Sequence, residues 1–269
     1  MDQPPPILET PPPPETLKEP TMSLGARLLN IFAIPGDVFE EVRTTRPSVG
    51  NWLVPALIAC AVGIVSVVIV LSQPAIQQQI REKQEQAMEK KFEELIQAGK
   101  LTREQADQQI AAMEKLFGAN LQKVFGSMGV VFYSFARIFF WALVLWLIGR
   151  WLLQAPIGYM KATEVAGLAG MISVLGAIVA LLLRVNFSNP AASPSLALTV
   201  GEFDEKNVTH MLLAMVNLFD VWQVGVMASG LARLAGAPFV RALLPLIVFW
   251  LLMSFALGTL SVFATRLGG

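Results

Sequence analysis

Residues 52–71 read WLVPALIACAVGIVSVVIVL, twenty residues without a charge. A helix rises ~1.5 Å per residue and the hydrocarbon core of a bilayer is ~30 Å thick, so this stretch matches one crossing. Period-2 alternation is absent, and in lipid a helix satisfies its own backbone hydrogen bonds, so a helix is the expected form. Asn51 precedes the segment, and Ser72, Gln73 and Pro74 close it.

Four further segments are close to the same length. They are about Met128–Ile148, interrupted by Arg137; Val165–Leu183; about Met211–Leu231, interrupted by Asp220; and about Val240 or Leu243 to Phe263, with Pro245 near its start. The composition agrees. The chain is 54% hydrophobic and 15% charged, against roughly 25% charged for a soluble domain. The expectation is an all-α membrane protein, a bundle of five transmembrane helices with lipid as its solvent.

Between the first and second spans, residues 74–123 carry eight basic and eight acidic residues. Ile76, Ile80, Ala87, Phe92, Leu95 and Ile96 approximate one helical stripe. Gly99 ends it, and Thr102 with Gln105 forms a capping box for the next helix. A second stripe runs through Ala106, Ile110, Met113, Phe117 and Leu121. Two stripes joined by a tight turn predict an antiparallel helical hairpin, residues 74–123, standing outside the membrane.

Residues 1–22 hold eight prolines and four acidic residues. They cannot bury enough apolar surface to offset their ordering entropy and are expected to form a disordered tail. They also lack the basic start and apolar core of a signal peptide, so the first span is expected to direct insertion. In residues 23–51, Leu24, Leu28, Ile31 and Phe32 share a face, Pro35–Gly36 interrupts, and Asp37 starts a turn carrying Val38 and Phe39. That run is too short to span, and an amphipathic segment at the interface is expected. The loop 184–207 is polar, with an acidic group at Glu202, Asp204 and Glu205; Leu196–Val200 is its candidate ordered piece.

Lys and Arg collect on cytoplasmic flanks. Lys18, Arg27, Arg43 and Arg46 precede the first span; Arg150 and Lys161 join the second to the third; Arg233 and Arg241 join the fourth to the fifth. The N-terminus is therefore expected in the cytoplasm, and the hairpin and C-terminus outside it.

Ionisable groups inside spans mark sites. Arg137 precedes Arg150 by thirteen residues, and Asp220 precedes Arg233 by thirteen. Both therefore lie ~20 Å from the same flank and can pair across helices. Such a pair either locks two helices together or belongs to a permeation path. Small residues at Ala166, Gly170, Ser173, Ala177 and Ala180, and at Gly225, Ser229, Ala232 and Gly236, predict close helix contacts. The six tryptophans divide between interface anchors and core.

Net charge is zero, 20 basic against 20 acidic, so no nucleic-acid partner is expected. Cys60 is the single cysteine and His210 the single histidine, too few for a zinc set. Gly126–Ser127–Met128–Gly129 lacks the order of a nucleophile elbow, and Glu40–Glu41 has no second histidine to build a metalloprotease. No catalytic residue, cofactor or metal site is expected.

The layout resembles the Yip1 domain family in its bacterial form, over about residues 23–265. The similarity lies in Pro35 and Phe39 of the IPGDVFEEV stretch, in YMKATEVA from Tyr159, and in Asn217, Phe219, Asp220 and Trp222 of NLFDVW, followed by Gly230–Leu231. The resemblance implies a five-helix membrane domain, residues 52–73 and 124–265, in a bacterial inner membrane with its N-terminus cytoplasmic. Eukaryotic members act in vesicle trafficking and bind Rab-type GTPases, a role that fold alone does not transfer. The hairpin departs from their compact layout. Partners expected on these grounds are the lipid bilayer, a membrane or extracytoplasmic protein bound by the hairpin, and a second copy of the chain. The functions in view are a non-enzymatic scaffold or adaptor and, as the alternative, a small transporter using Arg137 and Asp220.

Overall fold

The computed structural model describes residues 18–116, 119–201 and 207–268, and among these the regular structure is all helix, without a strand. Four helices are long and apolar enough to cross a membrane. They are α3 (Gly50–Val70), α6 (Ala119–Leu147), α7 (Tyr159–Phe187) and α10 (Phe239–Gly268). A short π-helical turn, Ile148–Leu152, extends α6.

The expected crossing at Met211–Leu231 is not one helix. It divides into α8 (Val208–Met215) and α9 (Leu218–Ala235). Asn217 is the reason. Its side-chain oxygen accepts the Phe219 N–H at 2.9 Å, the N-cap role asparagine fills best. The broken backbone is paired elsewhere: Leu196 N–H donates to the Val216 carbonyl and Leu218 N–H to the Pro194 carbonyl, both at 3.1 Å. A 3-10 turn at Leu196–Thr199 carries this strap.

Helices α3, α6 and α7 pack on one another, α9 packs on α7, and α10 packs on α8 and α9. Gly176 faces Phe219, whereas Gly230 faces Val165, so α9 runs antiparallel to α7. Gly167 makes the closest approach to backbone: a Cβ there would overlap the Trp52 backbone and lie 2.8 Å from the Asn51 carbonyl oxygen. That carbonyl has lost its helical N–H partner to Pro55, four residues on.

The N-terminal segment forms α1 (Leu24–Asn30), capped by Ser23, and α2 (Pro35–Thr44), with Pro35 in its first turn. Ile31, Val38, Phe39 and Val42 are fully buried in the main core. Each is worth ~1.5–3 kcal/mol relative to exposure. The face read as lying on lipid is therefore largely inserted into protein, against α7 and α9. Leu29 points outward, 74% exposed.

The hairpin consists of α4 (Pro74–Gln97) and α5 (Arg103–Leu116). Gly99 turns the chain at φ +67°, which glycine adopts without strain. Thr102 Oγ1 accepts the Gln105 N–H at 3.3 Å, and Gln105 Oε1 accepts the Thr102 N–H at 3.1 Å. At its base, Ile76 is fully buried, and Gln79 Nε2 donates to the Ser188 carbonyl at 3.0 Å. Phe92 and Ala106 are buried further out, on opposite arms. Residues 1–17 of the Pro-rich tail, Phe117, and the acidic group Glu202, Asp204 and Glu205 lie outside the described residues.

Candidate functional site

Two polar clusters occupy the bundle. In the first, Arg137 of α6 reaches α9: Nη2 donates to Asp220 Oδ1 at 3.2 Å and to Gln223 Oε1 at 2.6 Å. Ser173 of α7 donates its hydroxyl to the same Gln223 oxygen at 2.6 Å. One side chain from each of α6 and α7 thus meets two from α9. Asp220 stands third in α9, where the unbonded N–H groups of the first turn favour a negative charge. Gln223 is 3% exposed. Sequence reading brings Arg137 and Asp220 to one depth; it does not single out Gln223, whose i, i+3 spacing from Asp220 was the available signal.

The second cluster sits where α1 and α2 cover the bundle. Arg27 Nη2 donates to Glu41 Oε1 at 3.0 Å, and its Nη1 donates to Asn51 Oδ1 at 3.1 Å. Asn51 Nδ2 donates to Glu164 Oε2 at 2.5 Å. Lys161 Nζ lies 3.2 Å from Glu164 Oε1 and donates to the Val42 carbonyl at 2.5 Å. Asn51 and Glu164 are fully buried. Two cations and two carboxylates balance in charge in a cluster that spans four helices, although Arg27 Nε, Glu41 Oε2 and Glu164 Oε1 are buried without a hydrogen-bond partner. Burial pushes the Glu41 carboxyl up, but the backbone N–H groups of Met22 and Thr21 with the Arg27 guanidinium hold it below its usual value. Glu40 is lowered mainly by its bond to Arg43; Arg233 of α9 stands 3.8 Å from it. None of these partners was read as a cluster, because bonded partners are up to 119 residues apart. The only local hint was Glu164, a carboxylate at the start of a span.

A cavity of about 540 Å³ runs between α3, α6 and α7. Arg184 and Pro190 stand at one end; Pro55, Trp141 and Ala166 stand at the other. Arg137, Ser173 and Gln223 form a polar patch in its wall. The small residues of α7, read as a helix-contact stripe, also border this space: Ala166, Gly170, Ser173, Ala177 and Ala180 all line it, while Ala166 and Ala180 are buried. A Cβ at Gly170 would meet nothing within 4 Å. On α9, Gly225 is likewise open, and Gly236 ends the helix at φ +61°.

The remaining motif residues gather along the contact of α2 with α9. Phe39 and Gly230 meet, a Cβ at Gly230 falling 3.1 Å from the Phe39 ring. Trp222 lies edge-on to Phe32 with ring centroids 6.1 Å apart, and tilted to Phe219 at 6.3 Å. Among the described residues, no three His, Cys, Asp or Glu side chains converge as a metal set.

The Yip1 domain model matches residues 29–260. The chain belongs to the Yip1 family. It is a multi-pass membrane protein of that family, and the match takes in α2, the hairpin and α9 with its cap at Asn217. No curated relative and no solved structure matches the chain. Phe39, Phe219, Trp222 and Gly230, on which the sequence resemblance rested, are packing residues of the α2–α7–α9 junction. Asp220 alone among them bears a charge toward α6.

Proposed function

We propose that this protein is a non-enzymatic membrane scaffold or adaptor whose α4–α5 hairpin engages a partner protein. The observation that carries the reading is the hairpin itself. Beyond its base, α4 exposes Arg81–Gln86 and most residues to its end, so both arms offer mixed charge to solvent instead of to the bundle. A polar helix pair left free at the end of a membrane domain is suited to protein recognition. In this reading α8 and α9 together make a fifth, interrupted crossing. Gly258 of α10 sits against Met215 and Leu212 of α8, which supports the two pieces covering the thickness that α10 covers. The N-terminus is cytoplasmic in a bacterial inner membrane, and the hairpin is extracytoplasmic. The basic residues Lys161 and Arg233 at the α1–α2 end support that orientation.

The experiment replaces residues 85–121 with a short Gly-Ser linker. Gln84 and Gln122 are joined because their side chains lie 3.4 Å apart. The shortened protein is expected to insert and stay monodisperse while losing partners that photo-crosslink to hairpin positions such as Gln86 and Glu93 in native membranes. Retention of the same partners by the shortened protein, or its failure to insert, overturns the proposal. The alternative, a small transporter, draws on the cavity reaching Arg137; solute flux into vesicles that Asp220→Asn abolishes would favour it.

A further inference from the structure

We infer that the cavity between α3, α6 and α7 is a binding site for one single-chain amphiphile with an uncharged, hydrogen-bond-accepting head, held at Arg137 and Gln223. This goes beyond the scaffold reading and stands or falls separately from it.

Shape comes first. On α7 the lining runs from Ala166 to Arg184, a length of ~27 Å. Dividing about 540 Å³ by that length leaves a cross-section of ~20 Å². That accommodates one extended hydrocarbon chain and not two. The wall is mainly apolar, with Val62, Val67, Val70, Val130, Val174 and Ala177 along the slot. Its slimness on the α7 side comes from residues without bulk, Gly170 above all, where no atom stands within 4 Å of a would-be Cβ.

The polar patch specifies the head. Gln223 is 3% exposed and uses its oxygen twice, for Arg137 and for Ser173. Its amide NH₂ has no hydrogen-bond partner among the described residues, although the side chain lines the cavity. Arg137 commits only Nη2, leaving Nη1 and Nε without a bond there. The patch therefore presents more unpaired donors than acceptors, the Ser173 hydroxyl oxygen being one acceptor left. An incoming carbonyl or hydroxyl oxygen supplies the partner that these cavity-facing donors lack. The head is uncharged because Asp220 already neutralises Arg137 at 3.2 Å; an anion would leave one charge unbalanced in hydrocarbon. The patch lies eleven residues from Arg184 along α7, ~16 Å. The chain thus extends from the patch toward Val70 and Leu71.

The test uses full-length protein in detergent micelles, equilibrated with 1-monopalmitoylglycerol, palmitate, dipalmitoylglycerol or hexadecane, with bound ligand counted by native mass spectrometry. A diazirine-bearing monopalmitoylglycerol maps the site. The expected result is one equivalent of monopalmitoylglycerol, cross-linked within residues 62–71 of α3 and 174–180 of α7, with dipalmitoylglycerol excluded. Gly170→Leu fills the slot and should lower occupancy at least ~10-fold. Gln223→Leu should lower it about five- to tenfold, the size of one lost hydrogen bond, while leaving hexadecane uptake unchanged. Unaltered retention in either variant overturns the site. Stronger retention of palmitate overturns the uncharged head. Should Gly170→Leu fail to purify, the mapping in the native protein decides: labels confined to the lipid-facing side of α10 refute the cavity.

Discussion

The Arg137–Asp220 contact is open to a quantitative test. Separated by 3.2 Å, the two unit charges attract with a gross energy of ~5 kcal/mol at an effective dielectric of about 20. Most of that does not survive. The side chains are 25% and 36% exposed, and both groups give up solvation to meet. Gln223 also remains an acceptor for Arg137 after Asp220 is removed. A coupling of about 2 kcal/mol is the expected remainder, between the ~0–1 kcal/mol of a surface pair and the ~3–5 kcal/mol of breaking a buried one. Asp220→Leu strands a cation in the bundle and Arg137→Met strands an anion; each should destabilise by about 2–3 kcal/mol. The double variant should return to within ~1 kcal/mol of the native protein. The assay is reversible unfolding in mixed dodecyl maltoside and SDS micelles, followed by circular dichroism, on all four proteins of the cycle. Single effects that add to within ~0.5 kcal/mol would refute the idea that the pair joins α6 to α9.

Gly167→Ala should cost about 1–3 kcal/mol because the new methyl overlaps the Trp52 backbone, whereas Gly170→Ala should change the unfolding midpoint little; the same micelle titration compares them. Asn51→Ala removes the link between Arg27 and Glu164 and should cost ~1–3 kcal/mol. Limited proteolysis should then cut the α1–α2 segment sooner while α7 stays protected, and equal cleavage rates would contradict the latch. Glu41 is held below its ordinary pKa in the folded state, so its contribution is fully present above the unfolded carboxylate value of ~4.3 and is lost as pH falls through the lowered folded value. Acid titration of Glu41→Gln should therefore show a weaker loss of α1–α2 protection below about pH 4.3 than the native chain, and identical acid curves would remove Glu41 from the latch.

Much of this organisation can be read along the chain, and the misses have physical causes. Helices α3, α6, α7 and α10 were legible because each carries its own reason for meeting lipid, an apolar run of spanning length. The hairpin turn was legible from Gly99 and the Thr102–Gln105 box, both local. Arg137 and Asp220 came to one depth through equal offsets from Arg150 and Arg233. The break before α9 was also written locally, as Asn217 followed three residues later by Asp220, but the apolar count across Met211–Leu231 outweighed it. What strengthens the break is the strap at Pro194–Leu196, twenty residues away and unreadable from NLFDVW.

The buried latch shows the opposite case. Arg27, Lys161 and Glu41 look like flank charges when taken one at a time, and nothing near Asn51 or Glu164 says that they touch. The stripe from Ala166 to Ala180 says only that α7 is slim there; whether a neighbour fills the space or leaves it open depends on where α3 and α6 stand. Membrane residence, hairpin and helix ends follow from sequence because solvation and capping act over one turn or one span. The cavity, the unpartnered Gln223 amide and the inward face of α2 belong to the folded molecule, because packing is settled between segments far apart in the chain.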